Sequence, residues 1–143
     1  MKISTKGIYA LRMMIDLSEH RNDGFVSLKD IAARQDISKK YLEQIVPVLN
    51  RDGFLKTNRG YQGGYMLARA PEDYTVGEIL RLTEKDLMPV ACLDQQTMQC
   101  PHCFECSSLP IWQGLSNVIN EYLDGITLQD VLDQERESFS YSI

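Results

Sequence analysis

The amino-acid sequence predicts a mainly α-helical fold with a small β-hairpin wing: a winged helix-turn-helix domain followed by a long C-terminal dimerisation-type helix. Three observations carry the prediction. Two short amphipathic segments, each opened by a serine (Ser27 and Ser38), are joined by a turn at Asp36-Ile37. Two β-prone runs then flank a glycine-rich loop from Arg59 to Gly64. Further on, a wide apolar stripe recurs at helical spacing from Trp112 to Leu123, where few other patterned segments could cover it.

The elements follow in order. Ile8, Leu11, Ile15 and Leu17, with Met13 and Met14 between them, give helical spacing over residues 3–19. Gly24 breaks the chain. Ser27-Leu28-Lys29-Asp30 then has the form of a capping box, in which the serine oxygen accepts an orphan amide and the acid reaches back. Leu28, Ile31 and Ala32 form the apolar stripe of a short second helix. Ser38 caps a third, which runs through Tyr41, Leu42, Ile45, Val48 and Leu49. Pro47 removes an internal hydrogen bond and is expected to bend this helix near its end. Phe54–Thr57 and Tyr65–Leu67 read as the strands of a hairpin. Thr75-Val76-Gly77-Glu78 is another capping box, starting a helix that buries Val76, Ile79, Leu80 and Leu82. From Asp86 to Pro110 the patterning disappears. A helix resumes at Ile111 and ends at Gly125, and Thr127-Leu128-Gln129-Asp130 caps a last short one. The tail from Glu137 to Ile143 reads as loosely ordered, with Phe139, Tyr141 and Ile143 alternating. The chain thus divides into residues 1–85, a winged helix; 86–110, a cysteine-bearing loop; and 111–143, a dimerisation helix and tail.

Composition narrows the function. No apolar run approaches the ~18 residues that a membrane span needs, so no membrane partner is expected and the location is expected to be cytoplasmic. The net charge of −5 argues at first against a nucleic-acid partner. The first 70 residues, however, hold 12 Lys and Arg against 7 Asp and Glu, while the remainder holds 3 against 13. A basic half joined to an acidic half suits one surface that meets a polyanion and one that faces away from it.

Ser38, Lys39, Lys40, Tyr41, Glu43 and Gln44 occupy the cap and first turns of the second helix of the helix-turn-helix. Set into a DNA major groove, Glu accepts from cytosine N4 and Gln pairs with adenine, while lysines and the helix N-terminus hold phosphates. The same residues also suit a plain solvated face. Arg59, Gly60 and Tyr61 stand at the hairpin tip, where glycines allow close backbone approach and an arginine can enter a narrow minor groove. No P-loop lysine pattern accompanies those glycines. His20 and His102 have no nucleophile or carboxylate in a motif around them, so no catalytic residue is assigned and no enzyme is expected.

Cys92, Cys100, Cys103 and Cys106 fall within 15 positions, the last three each separated by two residues. Clustered cytosolic thiols point to metal or redox chemistry before structural disulfides. The spacing is closer to iron–sulfur ligation than to paired zinc knuckles, though four thiolates also suit zinc, and unliganded thiols stand as the alternative.

Met1–Gly7, Ser38–Gln44, the wing Arg59–Tyr65, and a tryptophan (Trp112) six residues beyond the last cysteine together resemble the Rrf2 family of bacterial transcriptional regulators. The resemblance spans nearly the whole chain. It implies a homodimer that binds a palindromic double-stranded DNA operator, as a repressor, with its long helix (Trp112, Leu115, Ile119, Tyr122) crossing to the partner. It also implies a 2Fe–2S or 4Fe–4S cluster on Cys92, Cys100 and Cys106, sensing redox state, nitric oxide or iron–sulfur supply. The Cys92–Cys100 interval is longer than in the cluster-assembly regulators, Cys103 is additional, and Leu109 stands where those regulators carry a histidine ligand, so the candidates for fourth ligand are Cys103 and a residue outside the loop. Another branch of the family has no cluster: it represses cysteine metabolism under control of cysteine synthase, whose pocket would accept a tail such as the one carrying Tyr141 and Ile143.

Overall fold

The computed structural model describes residues 2–61, 63–90, 93 and 106–141, with the last five as backbone alone. Its elements are α1 (Thr5–Glu19), α2 (Leu28–Gln35), α3 (Lys39–Arg51), β1 (Leu55–Asn58), β2 (Gly64–Leu67), a 3₁₀ turn (Pro71–Asp73), α4 (Val76–Thr83), α5 (Leu109–Asp124) and α6 (Leu128–Tyr141).

The first helix starts two residues later than the apolar pattern suggests, because Ser4 caps it by accepting from Gly7 N at 3.0 Å. Ser4 is itself anchored to the far end of α4: its hydroxyl donates to a Glu84 carboxylate oxygen at 2.7 Å, and its amide donates to the other. The buried face of α1 also differs from the expected stripe. Ala10, Met13, Met14 and Leu17 are inaccessible, whereas Ile8 is 46% exposed and Leu11 and Ile15 lie at the margin. Helices α2, α3, α4 and α6 all pack on α1, so its core face is wider than one stripe.

Ser27 accepts from Asp30 N at 3.1 Å, but among the described bonds the return from the Asp30 carboxylate is missing, so this cap is half of the expected box. The turn between α2 and α3 places Asp36 at φ 53°, a left-handed conformation that aspartate tolerates, and Ser38 then caps α3 through Tyr41 N at 3.1 Å. Helix α3 runs on through Pro47 to Arg51, with Pro47 on its exposed side.

Strands β1 and β2 pair antiparallel, with Leu55 opposite Leu67 and Asn58 opposite Gly64. The sheet gains an extension that local patterning could not show: Val26 and Tyr65 exchange two backbone bonds of 2.8 Å. Gly64 makes that approach possible, since a Cβ there would lie 2.3 Å from the Val26 carbonyl oxygen. Behind the wing, Tyr74 is fully buried. Its hydroxyl donates to Phe54 O at 2.7 Å and accepts from Ala68 N and Arg69 N at 3.1 and 3.0 Å.

The capping box on α4 is complete, with Thr75 and Glu78 bonded in both directions. Thr127 and Asp130 form the same reciprocal pair before α6. This last helix is longer than expected. It continues to Tyr141, so residues 137–141 are helical rather than loose: nothing between Leu128 and Tyr141 is Gly or Pro, and Gln129 bonds Asp133 one turn on at 3.0 Å. Leu128 and Leu132 return to the core beside α1. Residues 111–143 therefore separate into α5, which buries no residue completely, and α6, which docks on the winged helix.

Candidate nucleic-acid interface and cysteine segment

On α3 the apolar residues Leu42, Ile45, Val46 and Leu49 face the core, which turns Lys39, Lys40, Glu43 and Gln44 outward. Ser38 is exposed and its oxygen already serves the helix cap. Tyr41 differs from its neighbours: it is half-buried, and its ring meets Tyr9 edge-on at 5.3 Å, so it joins α3 to α1. Arg12 lies 5.5 Å from the Tyr9 ring and donates to Gln35 O at the end of α2.

Deeper in the same junction, Asp16 is inaccessible to solvent yet grips α2 through three bonds. Arg34 donates to both carboxylate oxygens, at 3.0 and 2.7 Å, and Gln35 donates at 3.0 Å. Burial alone would raise the pKa of this carboxyl. The Arg34 and Gln35 bonds and the Arg34 charge outweigh that and hold it below the ordinary carboxylate value. Both helices of the helix-turn-helix are thus tied to α1, α2 through Asp16 and α3 through the Tyr9–Tyr41 contact.

The hairpin brings Arg59, Gly60 and Tyr61 to an exposed tip. Gly60 adopts φ 101° and accepts from Gly63 N at 2.9 Å, and Tyr61 is 96% exposed. Between tip and α3 runs an open groove of about 640 Å³ whose walls include Lys29, Lys39, Asn50, Thr57, Asn58 and Arg59 and no acidic side chain. Arg59 and Lys39, far apart in sequence, share this groove, while Lys40, Glu43 and Gln44 lie outside it. Lys29, Asn50, Thr57 and Asn58 were missed by sequence reasoning. Asn50 was within reach of it, being eleven residues beyond Lys39 and so on the same face of α3 three turns later. Three cations around an open, acid-free groove attract a polyanion.

Of the four cysteines, Cys92, Cys100 and Cys103 lie outside the described residues. Cys106 is exposed just ahead of α5, and its carbonyl accepts from Leu109 N at 3.1 Å. The Ser108 hydroxyl lies 2.9 Å from its Sγ, and hydrogen bonds from Ser108 lower the thiol pKa, favouring the thiolate that a metal ligand requires. Among the described residues no three His, Cys, Asp or Glu converge as a metal site. The cysteine segment leaves α4 and returns through α5, and the other end of α5 is clasped to α4. Arg81 donates to both Asp124 oxygens, at 2.6 and 3.0 Å, and to Asn120 at 2.6 Å.

The expected dimerisation residues divide. Leu115 and Tyr122 are 42% and 67% exposed, in a row with Ile111 and Val118, whereas Trp112 and Ile119 are half-buried on a neighbouring face. The backbone of Tyr141 ends α6, and Ile143 lies outside the described residues.

Residues 3–134 match the profile of Rrf2, described as an iron-dependent transcriptional regulator. The HTH-type transcriptional regulator CymR of Bacillus subtilis is 37% identical over the full length of both chains. IscR of Aliivibrio salmonicida is 34% identical over 98% of this chain and 83% of its own. Among solved structures, T. potens IscR superposes with a TM-score of 0.77 at 40% identity, over 96% of this chain and 90% of its own. The global cysteine regulator CymR of B. subtilis gives 0.73 at 36%, over 94% and 98%.

Proposed function

The chain belongs to the Rrf2 family of DNA-binding transcriptional regulators, and from that premise we propose that it is a homodimeric repressor whose cysteine segment sets its affinity for an operator. The observation that carries the DNA-reading part is the groove between α3 and the wing, with Lys29, Lys39 and Arg59 around it and no acid. In this reading Glu43 and Gln44, exposed on the first turns of α3, read base edges in the major groove. Lys39 and Lys40 hold phosphates, and Arg59, Gly60 and Tyr61 reach the flanking minor groove. Arg59→Ala should weaken operator binding roughly tenfold, and Glu43→Ala should relax base preference more than it weakens non-specific binding. Fluorescence anisotropy on the operator and on single-base variants checks both; an unchanged preferred sequence in Glu43→Ala removes that side chain from base readout.

The signal is assigned to the cysteines. Cys106, with its thiolate favoured by Ser108, supports ligation, and Cys92, Cys100 and Cys103 complete the candidate set. A bound iron–sulfur cluster would supply redox and nitric-oxide sensitivity. Because α5 begins three residues after Cys106 and is clasped to α4 at its other end, a change in that segment acts on the helix we assign to the dimer.

A second reading is favoured by the end-to-end match to CymR. The chain would then be a clusterless repressor of sulfur metabolism, controlled by cysteine synthase at the tail carrying Tyr141 and Ile143. Anaerobic purification separates the two: brown protein with stoichiometric iron and acid-labile sulfide supports the cluster. Colourless, iron-free protein that binds cysteine synthase supports the second.

A further inference from the structure

Apart from the groove, a pocket of about 340 Å³ opens where three segments meet: the turn after α1 (Arg21, Asn22), the end of β2 with the 3₁₀ turn (Met66, Arg69, Glu72), and the first turn of α6 (Gln129). Its volume is at the small end of the range for metabolite sites. It shares no residue with the groove beside α3.

Two features set it apart from an ordinary dimple. Both arginines are held in place by groups that leave their charge uncompensated. Arg21 Nη1 donates to Ser18 O at 2.8 Å, and the Arg69 guanidinium donates to Asp73 O at 3.4 Å and lies 4.5 Å from the Tyr74 ring and 5.1 Å from Phe54. Among the described residues, no carboxylate lies within 4.0 Å of either, although ion pairs of that kind are formed by Arg34 and Arg81. Each guanidinium therefore keeps donors free, in a fixed position, on a concave surface. The Arg69 backbone is fixed as well: its amide and that of Ala68 donate to the Tyr74 hydroxyl, which donates to Phe54 O.

The chemistry of the lining selects a ligand class. Two guanidiniums each match a carboxylate, bidentate, and Asn22 and Gln129 offer amides. Glu72 is the one acidic wall and matches an ammonium group. We propose that this pocket binds a small dicarboxylate bearing an amine, and that binding joins the wing, α1 and α6. It stands whatever the cysteines hold, and it requires no DNA.

Isothermal titration of the full-length protein with L-glutamate, and with glutarate as the analogue lacking the amine, tests it. L-glutamate should bind saturably and more tightly than glutarate. Arg21→Gln should lower its affinity roughly tenfold or more, the effect of losing a hydrogen-bonded charge. Glu72→Gln should erase the preference for L-glutamate over glutarate. Thermal unfolding of both variants at the wild-type midpoint attributes these losses to the site rather than the fold. No saturable binding of L-glutamate, or equal binding by wild type and Arg21→Gln, overturns the proposal. So does an Arg21→Gln variant that binds operator DNA with one counterion fewer in its salt dependence, because Arg21 would then be a phosphate contact.

Discussion

Asp16 lies in the middle of α1 without solvent exposure, and all three of its bonds run to residues 18 or 19 positions away on α2. A buried carboxylate is stable only with its partners, and removing it strands Arg34, which keeps partial access to water. Asp16→Asn should therefore cost about 2–3 kcal/mol, below the ~3–5 found for wholly buried pairs. The pH dependence has a definite sign. The folded-state pKa is depressed below the ordinary aspartate value of 3.8, so the stabilisation is complete above that pH and is lost as pH falls through the folded value. Urea unfolding should show a gap between wild type and Asp16→Asn that is constant near neutrality and narrows below about pH 3.8; a gap unchanged at pH 3 would refute the assignment. At this scale the sequence was readable where the chemistry is local. Ser38 and the Thr75–Glu78 box could be assigned because cap and helix are neighbours. Asp16 could not, because an acid inside an apolar stretch declares no partner.

At the scale of elements, α5 is the one described helix without a fully buried residue. Ile111, Leu115, Val118 and Tyr122 recur at alternating steps of four and three, the spacing that a two-helix coiled-coil seam requires. Val118→Asp should convert the proposed dimer to a monomer by analytical ultracentrifugation, with the thermal stability of each protomer little changed, since Val118 is 62% exposed. A dimer that persists at micromolar concentration would place the interface elsewhere. The stripe on α5 was legible in the sequence, but not which of its rows stays uncovered. Trp112 and Ile119 share the helical period with Leu115, so the pattern does not separate the half-buried row from the exposed one. The tail was misread for a related reason: three alternating apolar residues look like an extended chain, while Gln129, Asp133 and the cap at Thr127 favour the helix found.

Across the whole molecule, α6 closes against α1 and brings two carboxyls together. Glu19 is raised from 4.5 to about 7 by loss of hydration, by the hydrogen bond and charge of Glu135, and by the charge of Asp16. The folded chain then holds a proton that the unfolded chain has released between those values, so docking of α6 weakens as pH rises across that window. Glu19→Gln should be relatively more stable at pH 8 than at pH 5 by chemical denaturation; a difference that stays flat with pH would refute this. The division into a basic and an acidic half was visible in the sequence, and the groove beside α3 falls within the basic one. Its contours were not visible, because they depend on how the hairpin folds back, with Tyr65 bridging to Val26 ahead of α2 and Phe54 N donating to Leu49 O of α3 at 3.1 Å.

Tyr74 has a consequence for how this architecture comes apart. Its hydroxyl holds the residues on either side of the hairpin, and its own carbonyl accepts from Leu128 N at 3.1 Å at the head of α6. Wing and last helix therefore share one fastening, and the amides of Ala68, Arg69 and Leu128 belong to a single cooperative opening unit whose hydrogen exchange rises and falls together.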